Sequence, residues 1–162
     1  MTTKTSLSLV IFLSGISLAW AFPKGCQPTG FSFTEHYLFL SDVSGQQLFL
    51  IQNKSLDLIE IKHHERADEF MSPSLTAKIH ANNWSAFASN IPNLGFECYR
   101  VNQTAEGPDT STLISCAEAL NICQYPRVKF ALSNMGNYWV TADKPQADVI
   151  KDVADQGIYL RW

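Results

Sequence analysis

Apolar and polar positions follow three different rhythms along this chain. Residues 7–18 (LSLVIFLSGISL) form one apolar stretch behind a single cation, Lys4. From residue 31 to residue 141, short apolar runs alternate with clusters of Gly, Asn, Ser and Asp, which predicts strands and turns. The predicted strands are residues 31–40, 47–52, 56–61, 75–81, 84–88, 96–101, 113–117, 128–132 and 138–140. Residues 48–51 (LFLI) have no polar break, the mark of a strand covered on both faces. Residues 75–81 alternate strictly, with Leu75, Ala77, Ile79 and Ala81 on the buried side. The alternation slips at Leu58-Ile59, which predicts a bulge. After Asp143 the period becomes helical. Val149, Ile150, Val153 and Ala154 make a stripe, Pro145 fits a first turn and Gly157 fits a C′ stop. Asp143 is the expected N-cap of a helix at about residues 145–156.

Nine short strands cannot share a core as one open sheet. Two stacked antiparallel sheets bury the Phe, Leu, Ile and Trp set between them. The expected fold is therefore all-β, a two-layer antiparallel β-sandwich, immunoglobulin-like or similar, with one C-terminal α-helix. The chain has 162 residues, enough for one such domain. The division is a cleaved secretory signal at residues 1–21 and a single disulfide-bonded domain at 22–162.

The signal reading rests on Lys4, the apolar run and Ala19-Trp20-Ala21, an A-x-A cleavage site. The run is shorter than the roughly 20 residues a bilayer span needs. No integral membrane span is expected after cleavage. Loss of Lys4 leaves eleven basic against fifteen acidic residues. That balance excludes a basic nucleic-acid footprint and argues against anionic membranes as partners.

All four cysteines (Cys26, Cys98, Cys116 and Cys123) follow the cleavage site. Export and an even count predict two disulfides, with three connectivities open. A hairpin folded at Gly107-Pro108-Asp109 brings Cys98 nearly opposite Cys116, which leaves Cys26 for Cys123. There is no C-x-x-C, so a thioredoxin-like redox role has no support.

Candidate chemistry is sparse. His63-His64-Glu65 invites a metal reading, but Asp68 stands where the metalloprotease pattern needs its second His. There is no G-x-S-x-G or S-x-x-K and no Gly-rich phosphate loop. Neither a catalytic residue, a metal ligand nor a cofactor is assigned. Trp84, Tyr138 and Trp139 are candidates for a ligand-stacking platform, set against a plain core role. Asn53, Asn83 and Asn102 each head an N-x-S/T sequon.

The order of several motifs resembles the bacterial enhanced-entry protein B family, exported proteins named for a locus promoting entry of an intracellular pathogen into host cells. Those motifs are Gln52-Asn53-Lys54-Ser55, the strand running into His63, Asn83-Trp84-Ser85-Ala86, Phe96 with Cys98, and Cys116 with Cys123. Gly136-x-Tyr138-Trp139-Val140 and the helix ending at Gly157-Ile158 complete the order, over about residues 46–158. The resemblance implies a periplasmic or envelope-associated protein and carries over no catalytic residue. The expected function is non-catalytic interaction with an envelope or periplasmic protein partner, in host-cell entry or envelope maintenance. The expected tool is an exposed aromatic patch or an open sheet edge. The alternative is an envelope hydrolase or metal-dependent enzyme built on the loop from His63 to Asp68 with His36 or His80.

Overall fold

The structure is a computed structural model that describes residues 21–41, 45–64, 75–89, 94–126, 128–130 and 137–160. Residues 1–20 of the expected signal at 1–21, and residues 65–68 of the loop from His63 to Asp68, lie outside the described residues.

Two antiparallel sheets pack face to face. The larger contains β1 (Phe31–Phe33), β2 (Tyr37–Leu40), β7 (Leu94–Asn102), β4 (Leu58–His63) and β5 (Thr76–Ile79) in that order. Its sixth strand, β8 (Thr110–Ile114), pairs with β7 along the half that β2 leaves open. The smaller sheet runs β11 (Tyr138–Lys144), β6 (Trp84–Ser89), β3 (Gln47–Asn53) and β9 (Leu120–Tyr125). Two short strands, β10 (Val128–Phe130) and β12 (Ile158–Leu160), pair with each other outside both sheets. One turn of helix, α1 (Cys116–Ala119), links β8 to β9, and α2 (Gln146–Asp155) lies between β11 and β12.

The two faces of the smaller sheet explain the unbroken apolar run of β3. Phe49 and Ile51 face the larger sheet and join Leu38, Ile59, Ile61, Phe87 and Phe96 in the inter-sheet core. Leu48 and Leu50 face the other way, into a second core with Trp84, Tyr125, Val149, Val153 and Ile158. The helix, the N-terminal arm and the β10–β12 pair thus form a third layer over the smaller sheet. The outer face of the larger sheet has no such cover among the described residues.

Two disulfides staple these layers, Cys26 to Cys123 and Cys98 to Cys116, with no free cysteine. The first ties the N-terminal arm to β9. The second closes the β7–β8 hairpin. Cys98 itself stands opposite Ile114, and the chain turns back through α1 to reach it.

Several local expectations are corrected. Residues 31–40 are two strands, because Thr34–His36 make the turn of a hairpin that sets Phe31 opposite Leu40. Leu56 lies before β4 and is 90% exposed, and the slip at Leu58-Ile59 is no bulge: register with β7 runs unbroken through Leu58, Ile59 and Glu60. The register shifts fall on β11 instead, between Trp139 and Thr141 and again between Thr141 and Lys144. Residues 113–117 are the end of β8 and the start of α1. Strands β9 and β12 were not anticipated. Asp143 is not the N-cap. Pro145 holds that place, and Asp143 adopts φ 59° at the end of β11, with its carboxylate turned to another task. Gly157, at φ 74°, does end the helix in the left-handed conformation that glycine tolerates.

Candidate functional site

The sequence-proposed aromatics do not form one platform. Trp84 is only 5% exposed and packs in the second core, with Phe22 edge-on at 6.4 Å. Successive residues of a strand point to opposite faces. Trp139 therefore enters the inter-sheet core, 4.9 Å from Phe87 and 6.2 Å from Phe96, while Tyr138 packs on the second core.

The aromatic surface lies instead on the open face of the larger sheet. Strand β2 reads Tyr37-Leu38-Phe39-Leu40. Leu38 and Leu40 are in the core, so Tyr37 and Phe39 stand outside it, half-buried. On β7, Phe96 and Cys98 point inward, and Glu97 and Tyr99 outward. On β4, Ile59 and Ile61 are inside, and Glu60 and Lys62 outside. The register aligns these positions across the sheet: Tyr37 with Glu97, Glu97 with Lys62, Tyr99 with Glu60, and Glu60 with Lys78. Leu113 on β8 stands opposite Tyr99 and is 40% exposed.

A polar network fixes this face. The Tyr99 hydroxyl donates to Glu97 Oε2 at 2.6 Å, and His64 Nδ1 lies 3.2 Å from Glu97 Oε1. Lys62 Nζ is 3.0 Å from Glu60 and sits 4.9 Å above the centre of the Tyr99 ring. The bond to Glu97, then burial and the Glu97 charge, push the Tyr99 phenol up to about 12, so it remains a donor throughout the physiological range. Tyr37 lies near-parallel to Phe39 with centroids 5.8 Å apart, and edge-on to His64 at 5.2 Å. Gly95 lets the Phe39 ring come down on β7: a Cβ there would stand 3.1 Å from Phe39 Cε1. The result is a half-exposed surface of two tyrosines, a phenylalanine, a leucine and a histidine, interleaved with paired charges. Aromatics combined with satisfied polar groups are the composition of protein-binding surfaces. The signal was present in residues 37–40, where no position is polar although only one face of the strand meets the core.

The histidines do not gather. Hydrogen bonding places His63 beside Leu75, whereas His80 follows the opposite end of β5, about 16 Å further along at strand spacing. His36 lies in the β1–β2 turn, 3.6 Å from Glu35. Among the described residues no three His, Cys, Asp or Glu side chains are grouped to hold a metal. Glu65, Asp68 and Glu69 lie outside the described residues.

His80 has a partner of its own. Its ring Nδ1 lies 2.6 Å from Asp143 Oδ2, and its backbone N–H donates to Asp143 Oδ1 at 2.6 Å. Asn83 Nδ2 donates to the same Oδ1 at 2.9 Å. Burial alone would raise the Asp143 carboxyl. The hydrogen bonds from Asn83 and His80, with the His80 charge, outweigh it and hold the carboxyl below its usual range.

Comparison with known protein families, with characterised proteins and with solved structures returned no match. The two disulfides point to an oxidising compartment outside the cytoplasm, and no helix among the described residues is long and apolar enough to cross a membrane.

Proposed function

We propose that this chain is an exported, non-catalytic interaction protein of the bacterial envelope, and that a protein partner docks on the open face of the larger sheet. The observation that carries this reading is the aromatic surface of Tyr37, Phe39, Tyr99 and Leu113. In a sandwich the outward positions of a solvent-facing sheet are ordinarily polar. Here Tyr37, Phe39 and Tyr99 stand among the charged outward positions, and Glu97, His64 and Lys62 hold the two tyrosines in place, which lowers the ordering cost of binding. The signal-like N-terminus and the disulfides support export. The resemblance to the enhanced-entry protein B family supports a role in host-cell entry or envelope maintenance. Photo-crosslinking in the native envelope tests the reading. A crosslinker at Leu113 is expected to trap a specific envelope protein, and one at Leu56, exposed in the loop between β3 and β4, is expected to trap none. Equal trapping at both positions would remove the support.

A second reading, an envelope hydrolase or metal-dependent enzyme, draws on the His80–Asp143 pair. A carboxylate at Nδ1 orients an imidazole so that Nε2 is presented as a base or ligand. Stoichiometric zinc in the purified exported protein, or an activity abolished by His80→Ala at unchanged stability, would favour it.

A further inference from the structure

Short strands, charged side chains and irregular backbone keep a sheet edge from pairing with another chain. Most edges of this fold carry such a guard. Strand β1 has three residues, and β5 has four with Lys78 among them. Two register shifts break β11. The N-terminal arm lies against β9 through the Cys26–Cys123 bond and the Gln27–Gln124 bridge. Strands β10 and β12 have three residues each.

Strand β8 has no such guard. Its five residues, Thr110-Ser111-Thr112-Leu113-Ile114, include no charge, glycine or proline. Register with β7 runs unbroken from Cys98 opposite Ile114 to Asn102 opposite Thr110. Thr110 to Leu113 are all exposed, and among the described residues β8 pairs with β7 alone. An antiparallel strand turns half of its backbone N–H and C=O groups away from its neighbour, so β8 presents a regular ladder on its free side. Beyond Ser115 the chain turns inward at the fully buried Cys116, off this edge.

We propose that two copies of this chain pair β8 to β8, antiparallel, about a two-fold axis centred on Thr112. The strand is complementary to itself in that register. Thr112 meets Thr112 of the second copy, a favourable cross-strand pair, Ser111 meets its Leu113, and Thr110 meets its Ile114. No like charges face each other across the seam. The charges that flank β8 are already paired, Asp109 with Lys78 at 3.7 Å and Arg100 with Asp57 at 2.8 Å. Opposite residues of an antiparallel pair share a face, so the two six-stranded sheets join into one, with both aromatic faces on the same side. The pairing uses the edge and not the aromatic face, so it stands or falls separately from the partner reading. A Leu113 crosslink between two copies has twice the mass of the chain, which tells it from a crosslink to another protein.

Sedimentation equilibrium of the exported, disulfide-bonded protein up to about 500 μM is the test. A dimer with a Kd of about 100 μM or tighter is expected, because one edge is a small interface. Thr112→Lys and Thr112→Glu each set like charges opposite one another and should weaken association roughly tenfold, and an equimolar mixture of the two should restore it. Rescue in the mixture also shows that both variants fold. Under mild oxidation Thr112→Cys should crosslink to itself, whereas Thr110→Cys, four residues out of register with its own copy, should not. A monomer throughout the concentration range overturns the proposal, and so does a mixture that associates no better than either variant alone. Crosslinking of Thr110→Cys equal to that of Thr112→Cys overturns the register and the proposal with it. A monomeric wild type whose capture of an envelope protein is abolished by Thr112→Lys would assign the edge to a foreign strand, which also overturns it.

Discussion

Asp143 grips His80 twice, at the backbone N–H and at ring Nδ1, each at 2.6 Å. His80 follows β5 of the larger sheet and Asp143 ends near β11's C-terminus in the smaller one, so the carboxylate pins one sheet to the other. The φ of 59° at Asp143 is the backbone cost of aiming it there. Removing the carboxylate should cost about 1–3 kcal/mol. The sign with pH follows from the lowered carboxyl: its contribution is present above the unfolded value near 3.8 and is lost as pH falls through the lower folded value. Urea unfolding of wild type and Asp143→Asn from pH 7 to about pH 3 should show a gap that narrows towards the acid end. A gap constant with pH would refute the assignment.

Asn53 is fully buried, and its amide organises the loop between β3 and β4. Nδ2 donates to the Asp57 carbonyl at 2.7 Å and the Ile79 carbonyl at 2.8 Å, while Oδ1 accepts from Ser55 N–H and Oγ. Asn53→Ala strands these partners and should destabilise by about 2–3 kcal/mol in denaturant unfolding. The same burial closes the Asn53 sequon. Expression in a glycosylating host should leave Asn53 unmodified by peptide mass analysis, whereas exposed Asn102 remains available.

The two disulfides close loops of different length, 97 residues for Cys26–Cys123 and 18 for Cys98–Cys116. In the loop-entropy account, replacing the first pair by serine should cost about 4–5 kcal/mol and the second about 3. Loss of the first also frees the arm that sets Phe22 on Trp84. Equilibrium unfolding of the two double-serine variants checks the order. A larger loss from the Cys98–Cys116 pair would contradict it.

The sandwich was legible because the period-two segments are real strands, and the cysteine pairing because the β7–β8 hairpin is local. What escaped has physical reasons. Strand β9 (LNICQY) is apolar on both sides, since Ile122 serves one core and Cys123 the other, so it shows no alternation. The Asp143 role depends on a contact 63 residues away, which no local motif announces. The aromatic candidates Trp84 and Trp139 are core residues, because large rings are used for packing more often than for recognition. Of the half-exposed set on β2 and β7, the sequence hints only at the β2 part, through the unbroken run at residues 37–40; the rest needs the sheet to show which side of each strand is inside.

The central claim is that the open face formed by Tyr37, Phe39 and Tyr99 is where this protein meets its partner. Affinity capture from native envelope, quantified by mass spectrometry, tests it most directly with wild type and the Tyr37→Ser, Tyr99→Ser double variant. Both residues are half-exposed, so folding should survive the change, and matched melting temperatures confirm it. The account expects one envelope protein enriched by wild type and depleted at least tenfold with the double variant, a change of about 1.4 kcal/mol or more. Equal enrichment by both proteins, or no specific partner with either, would contradict it.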